Sequence, residues 1–275
     1  MFVKYFKNQS RNYYKYCTKL MISSKKIIEV KNLVKKYGEL TAVDNISFNV
    51  FEGEIFGLLG PNGAGKTTTL EIMETLRELT SGEVIIDGLS VDSHKDEVKK
   101  IIGVQLQQSG FYPNLNLLEL IRLFSGLYNV HVDAHEILKK VGLEEKAKSI
   151  YNKLSGGQKQ RFAVATTIIN NPKLIFLDEP TTGLDPQARR NMWELIDDIR
   201  KKGITIMITT HYMDEAEQLC DRVGIIDLGK IIAIDSPSNL IDLLLKRGFE
   251  RAEKVKHASL EDVFLNLTGK DLRDE

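Results

Sequence analysis

The sequence predicts an α/β fold, a mostly parallel sheet with helices on both faces. Three observations lead there. Apolar, β-branched runs alternate with helical segments over much of the 275 residues, as strands joined by crossover helices do. The runs "IFGLLG" and "LIFLD" have the length of buried strands. Between about 114 and 152 the apolar residues change to three-and-four spacing, so a helical insert interrupts the alternation.

Taken in order, "IIEV" at 27–30, "ISFNV" at 46–50, "EIFGLLG" at 54–60 and "EVIID" at 83–87 are predicted strands, with Gly53 and Gly82 as turns. A helix over about Lys66 to Leu76 follows a glycine-rich loop, and "IIGVQLQ" at 101–107 is another buried strand. "LNLLELIRLFSGLY" and "VDAHEILKKVGL" carry the helical period of the insert, a candidate lobe. Strands return at "KLIFLDEP" and "ITIMITTH", separated by the helix "PQARRNMWELIDDIRKK". Pro186 suits the first turn of that helix and Gly203 suits its end. "RVGIIDLGKIIAID" reads as two short strands about Gly229, and "SLEDVFLNLTGKDLRDE" as a capped helix with a charged end.

Composition narrows the function classes. Lys+Arg and Asp+Glu balance at 38 each, so no global basic surface argues for nucleic acid. Cys17 and Cys220 make neither a disulfide framework nor a metal cluster, which suits a reducing cytosol. No apolar run reaches the roughly 18–20 residues that span a bilayer, which predicts a soluble or peripheral chain. Residues 1–24 differ from the rest: Lys4, Lys7, Arg11, Lys15 and Lys19 fall on one helical face, opposite Phe2, Phe6, Tyr13 and Leu20. They read as a basic extension that is unstructured or precedes a native start at Met21; a helix lying on a membrane surface is the alternative. They are not a cleavable signal, because no uninterrupted apolar stretch is present.

The motifs carry the chemistry. In "GPNGAGKT", Gly60 to Thr67, glycines let backbone N–H groups wrap phosphates. Lys66 adds a charge for the β/γ oxygens, and the Thr67 hydroxyl can ligate Mg2+. A strand before and a helix after supply the context, so this loop predicts nucleotide binding. "LIFLDEP" is an apolar strand ending in two acids. Asp178 emerges at the carboxyl edge, where α/β folds place ligands, and can hold a metal through water. Glu179 is the candidate base for the attacking water. Two adjacent acids there are costly unless an ion or a hydrogen-bonding partner faces them. His211 follows a strand expected beside the first and can donate to a γ-phosphate oxygen or hold Glu179 and water. Gln107 can reach Mg2+ or the water, with Gln105 and Gln108 competing for that role. Tyr37 can stack on adenine. Finally, in "NKLSGGQKQR" Ser155 caps a helix whose first glycines leave N–H groups bare, a second place suited to a phosphate.

With these motifs in this order, the chain resembles the nucleotide-binding subunit of ATP-binding cassette (ABC) transporters over about residues 27–235. "LSGGQ" is the specific part. The resemblance implies a phosphate-loop ATPase core with an antiparallel β subdomain and a helical subdomain, dimerising head to tail around two Mg2+-bound ATP molecules. It makes Tyr37 the adenine-stacking aromatic and Gly60, Pro61, Asn62, Gly63, Ala64, Gly65, Lys66, Thr67 and Thr68 the phosphate loop. It selects Gln107 as the glutamine-loop residue, with Thr67, Gln107 and Asp178 on the Mg2+ side. It makes Glu179 the catalytic base, His211 the switch histidine and Asp185 part of the loop that crosses the dimer. Ser155, Gly156, Gly157 and Gln158 become the signature, which meets the partner subunit's ATP.

The ATPase domain is expected over 25–235, with its helical lobe at about 114–165 and a short helical tail over 236–275. The segment "QQSGFYPNLNLLEL" and the tail "SLEDVFLNLTGK" look like the drug- and lipid-exporting group with separate membrane subunits, although the segment before the tail is shorter here. The implied partners are a multi-span membrane permease subunit and a second nucleotide-binding subunit, with the chain peripheral on the cytoplasmic face. Phe111, Tyr112, Leu115 and Leu117 are candidates to line the groove for the membrane subunit, or equally to form the core of the lobe. A soluble ATPase of this kind acting on nucleic acid or ribosomes is the alternative. The absence of heptad arms, the single cassette and the neutral charge count against it.

Overall fold

The computed structural model describes residues 25–105 and 110–249, together with Val263, Asn266 and Leu267. The basic extension with Cys17, the glutamine Gln107 and most of the predicted tail helix lie outside the described residues. Among the described residues ten strands form two sheets.

The first sheet is antiparallel. β1 (Lys26–Tyr37) and β2 (Leu40–Phe51) form a long hairpin, and β4 (Ser81–Ile86) and β5 (Leu89–Ser90) complete the order β2-β1-β4-β5. Both hairpin strands run well past the predicted "IIEV" and "ISFNV". Lys31, Lys35 and Lys36 hide the continuation of β1 in sequence, because one side of this sheet faces water. The register also shifts between Val30 and Leu33, where Asn32 adopts a φ of 48°; such a bulge breaks the apolar alternation.

The second sheet has the order β10-β9-β3-β8-β7-β6. β3 (Ile55–Leu59), β6 (Ile102–Gln105), β7 (Leu174–Asp178), β8 (Thr205–Thr210) and β9 (Arg222–Asp227) are mutually parallel along it, and β10 (Lys230–Asp235) closes the edge antiparallel to β9. Its central strands are apolar on both sides. Phe56, Leu58, Leu174, Phe176 and Met207 face one core, under α1 (Lys66–Met73), α2 (Lys95–Ile101) and the hairpin. Ile55, Leu59, Ile175, Leu177, Ile206 and Ile208 face the other. That side is covered by α3 (Leu117–Leu127), α4 (Ala134–Lys140), α5 (Gly156–Thr167), α6 (Pro186–Arg200), α7 (Met213–Leu219) and α8 (Pro237–Lys246). The absence of alternation in the sequence is therefore the signature of a sheet between two helical layers.

α1 is shorter than predicted. It ends at Met73 with Glu74 as its cap, and Thr75 turns left-handed at φ 62°. The helices α2 and α7, seven residues each, had no prediction. Of the proposed groove residues, Leu117 is fully buried, and Phe111 packs on Tyr151, Phe162 and Phe124 with ring centroids 4.7, 5.1 and 5.8 Å away. Leu115 is partly buried against the same cluster, while Tyr112 is exposed. These residues are chiefly lobe core. No described helix is long and apolar enough to cross a membrane.

Candidate active site

The glycine loop sits where β3 turns into α1, beside the carboxyl ends of β8 and β9. Its backbone is packed from two sides. A Cβ on Gly60 would meet the Ile226 carbonyl oxygen at 2.2 Å, and one on Gly65 would meet that of Ala42 at 2.5 Å. Gly65 also adopts a φ of 100° at the helix cap, which an L side chain rarely takes. With no side chain capping α1, its first N–H groups are presented from the loop. Asn62 and Gly63 are exposed at the rim, whereas Ala64 is buried.

Lys66 is 4% exposed. Its Nζ donates to the carbonyl oxygens of Gly60 at 2.8 Å and Pro61 at 3.0 Å, and lies 3.6 Å from Glu179 Oε1. Burial lowers the pKa of this ammonium; a positive charge out of water needs an anion beside it.

The acids come from β7. Parallel pairing sets Asp178 beside Thr209 of β8, and the Thr209 hydroxyl donates to Asp178 Oδ1. Thr67 Oγ1 lies 3.2 Å from Asp178 Oδ2. Burial raises the Asp178 pKa, with the Thr209 hydrogen bond opposing. Glu179 begins the turn after the strand in a left-handed conformation, φ 48°. Such a backbone is costly for a non-glycine residue and is held only where its surroundings fix it. Here the Glu179 N–H donates to Thr209 Oγ1 at 3.0 Å, and Thr182 Oγ1 donates to Glu179 Oε2 at 3.1 Å. Glu179 Oε1 lies 3.3 Å from His211 Nδ1. The His211 imidazole against it and the charge of Lys66 outweigh burial and lower the Glu179 pKa, so this carboxylate is ionised at neutral pH.

The predicted residues thus fall into three groups. Lys66, Thr67, Asp178, Glu179 and His211 form one connected cluster. Ser155, Gly156, Gly157, Gln158 and Asp185 lie together at the starts of α5 and α6. Ser155 and Gln158 make a reciprocal capping box, with Ser155 N donating to Gln158 Oε1 at 3.0 Å and Gln158 N to Ser155 Oγ at 3.4 Å. A Cβ on Gly157 would sit 3.3 Å from the Ala188 Cβ of α6, and Asp185 caps that helix through the N–H groups of Gln187 and Ala188 at 3.0 and 2.8 Å. Tyr37 stands at the hairpin tip, half-exposed, with Lys35 Nζ 5.0 Å and the Arg77 guanidinium carbon 5.6 Å from its ring centroid. Its rival for the Gln107 role, Gln105, is buried at the end of β6 and its amide oxygen has no partner among the described residues.

Sequence reading missed Thr182, Thr209, Glu74 and Glu215. Thr182 and Thr209 belong to no motif; only the β7–β8 register and the turn after Glu179 bring their hydroxyls to the acids. Glu74, at the end of α1, is buried, and desolvation pushes its carboxyl up to about 8.

The arrangement suits a polyphosphate. Backbone N–H groups and a buried ammonium face a carboxylate that lies against an imidazole. The adjoining Thr67 hydroxyl and Asp178 carboxylate are hard oxygen donors of the kind Mg2+ takes together with phosphate oxygens. Comparisons with known proteins agree with this geometry. The family profile "ABC transporter" matches residues 43–182. The probable multidrug ABC transporter ATP-binding protein YbhF of Escherichia coli K12 is 41% identical over 219 residues, covering 78% of this chain; the chain spans only 38% of that relative's length. The Nod factor export ATP-binding protein I of Cupriavidus metallidurans is 35% identical over 300 residues, covering 90% of this chain and 99% of the relative. Among solved structures, the dimeric post-hydrolysis state of the ATP-binding cassette MJ0796 bound to ADP and Pi is 33% identical. It superposes with a TM-score of 0.68 over 76% of this chain and 98% of that one. Fold, motif order and site geometry lead to one conclusion: this chain belongs to the ABC transporter family, as an ATPase domain of that family.

Proposed function

We propose that the chain is the ATP-hydrolysing motor of an exporter, closing as a dimer around two Mg-ATP and driving a separate multi-span membrane permease subunit from the cytoplasmic face. The observation that carries the reading is the convergence of Lys66, Glu179 and His211 at the end of β7, with Glu179 between the other two at 3.6 and 3.3 Å. The ATPase domain occupies 25–235, with the helical lobe at about 114–165.

In this reading the loop Gly60–Thr68 wraps the phosphates, and Lys66 exchanges the Glu179 carboxylate for phosphate oxygens. Tyr37 stacks on the base. Thr67 and Asp178, with Gln107, hold Mg2+, which neutralises phosphate charge. Glu179, ionised and freed from Lys66, takes the proton of the attacking water, and His211 holds the carboxylate in place. The Ser155–Gln158 helix start offers its N–H groups and dipole to the nucleotide of the other subunit, and the Asp185 loop lies in the same interface. ATP thereby joins the two subunits, and its hydrolysis loosens them. The relatives named for multidrug and Nod factor export support the exporter assignment. The nucleic-acid or ribosome reading has no observation in its favour.

The test is affinity purification of the tagged chain from detergent-solubilised membranes with Mg-ATP. A co-purifying multi-span protein is expected. Recovery of ribosomes or DNA in its place would overturn the exporter reading.

A further inference from the structure

The turn after Glu179 and the segment that carries His211 meet at one buried carboxylate, Glu215, which is 0% exposed. Its Oε1 accepts from Thr181 Oγ1 at 2.8 Å and from Trp193 Nε1 at 3.1 Å. These partners come from separate parts of the fold. Thr181 lies two residues after Glu179, Trp193 two turns into α6, and Glu215 in the first turn of α7, four residues after His211. A second bridge joins the same helices. Arg189 of α6 pairs with Asp214 of α7 at 3.2 Å and lies 4.3 Å from the centroid of the Tyr212 ring, next to His211.

Packing alone does not require this arrangement. Burying a carboxylate is costly, and an apolar residue could fill the space between α6 and α7. What an apolar residue could not do is bind two donors, one of them two residues after Glu179 and the other on the helix that Asp185 caps, from a position four residues after His211. Asp185 caps α6, so its loop is joined through that helix to Trp193 and on to Glu215.

We propose that Glu215 is a positioning residue for hydrolysis, locking the Thr181–Asp185 segment and the His211 segment into one unit that sets the contact between Glu179 and His211. The proposal rests on the reading of Glu179 as the base.

Steady-state ATPase kinetics of the full chain, with thermal melts in parallel, test it. Thr181→Val and Trp193→Phe each remove one donor at nearly constant size. Each is expected to lower kcat roughly tenfold, the scale of a hydrogen bond to a charged group, while KM for ATP stays within about twofold. The double variant is expected to lose less than the product of the single losses, because both act through one carboxylate. Glu215→Gln keeps an acceptor oxygen and is expected to retain most of the turnover. The proposal fails if both single variants melt at lower temperature yet keep wild-type kcat, which is the behaviour of a purely structural contact. It also fails if KM rises while kcat is unchanged. Glu179→Gln, run alongside, separates the two readings: wild-type turnover there removes the base itself, whereas lost turnover there with unaffected Thr181→Val and Trp193→Phe removes only the role of Glu215.

Discussion

Replacing Glu179 by Gln tests the site at its most connected point. In the free protein Glu179 is the carboxylate nearest the Lys66 ammonium, 3.6 Å away, and both groups are buried. At an effective dielectric of about 20 the pair is worth about 5 kcal/mol of gross Coulomb energy. Much of that is offset by desolvation, and Lys66 keeps its bonds to the Gly60 and Pro61 carbonyls and the nearby charge of Asp178. A net loss of about 2 kcal/mol follows, or roughly 4–8 °C of melting temperature for a chain of this size. Mg-ATP supplies Lys66 with a new anion, and in the variant it no longer has to displace a carboxylate. The rise in melting temperature on adding Mg-ATP should therefore exceed that of the wild type. Turnover should fall by roughly 10^2 to 10^4, the contribution of a positioned base, and ATP-bound dimers should accumulate on size exclusion. Calorimetry and phosphate release measure these effects. Turnover within about threefold of wild type, a loss far below that scale, would exclude Glu179 as the base. An unchanged melting temperature without ATP would show that the pair with Lys66 carries no stability.

Two further outcomes follow from the same geometry. Ser155→Arg, placed in the Glu179→Gln background, removes the α5 cap at a cost of about 1 kcal/mol and puts a long side chain at the helix start; nucleotide should still bind, but the ATP-bound dimer should not form. A dimer forming regardless would contradict the shared site. Glu74 gives a pH signature. Its folded pKa of about 8 lies above the ordinary carboxylate value, so between pH 4.5 and 8 the unfolded chain ionises this group while the folded one does not. Stability on its account is present below that window and declines as pH rises through it, by on the order of 4 kcal/mol. Glu74→Gln should flatten the decline in denaturant titrations at pH 5 and 8, and an equal decline in both proteins would refute the burial argument.

Much of the site was legible because its residues are close in sequence. The loop from Gly60 to Thr68 needs glycines at fixed spacing to wrap a phosphate, and the "LIFLDEP" strand needs its acids at the end. These are local demands, and local demands leave patterns. The capping box of Ser155 and Gln158 and the cap of Asp185 on α6 follow the same rule. The first hairpin was legible only in part, because its lysines face water and its bulge at Asn32 shifts the register.

Sequence alone thus determined the kind of sheet, the nucleotide loop, the acids at the strand end and the cassette family. Tertiary structure alone decided which groups meet. Thr209 reaches Asp178, His211 lies against Glu179, and Glu215 gathers Thr181 and Trp193 because strands and helices distant in the chain are packed side by side. Hydrogen bonds and ion pairs act over a few ångströms of space without regard to separation along the chain, so no local spacing of residue types encodes them.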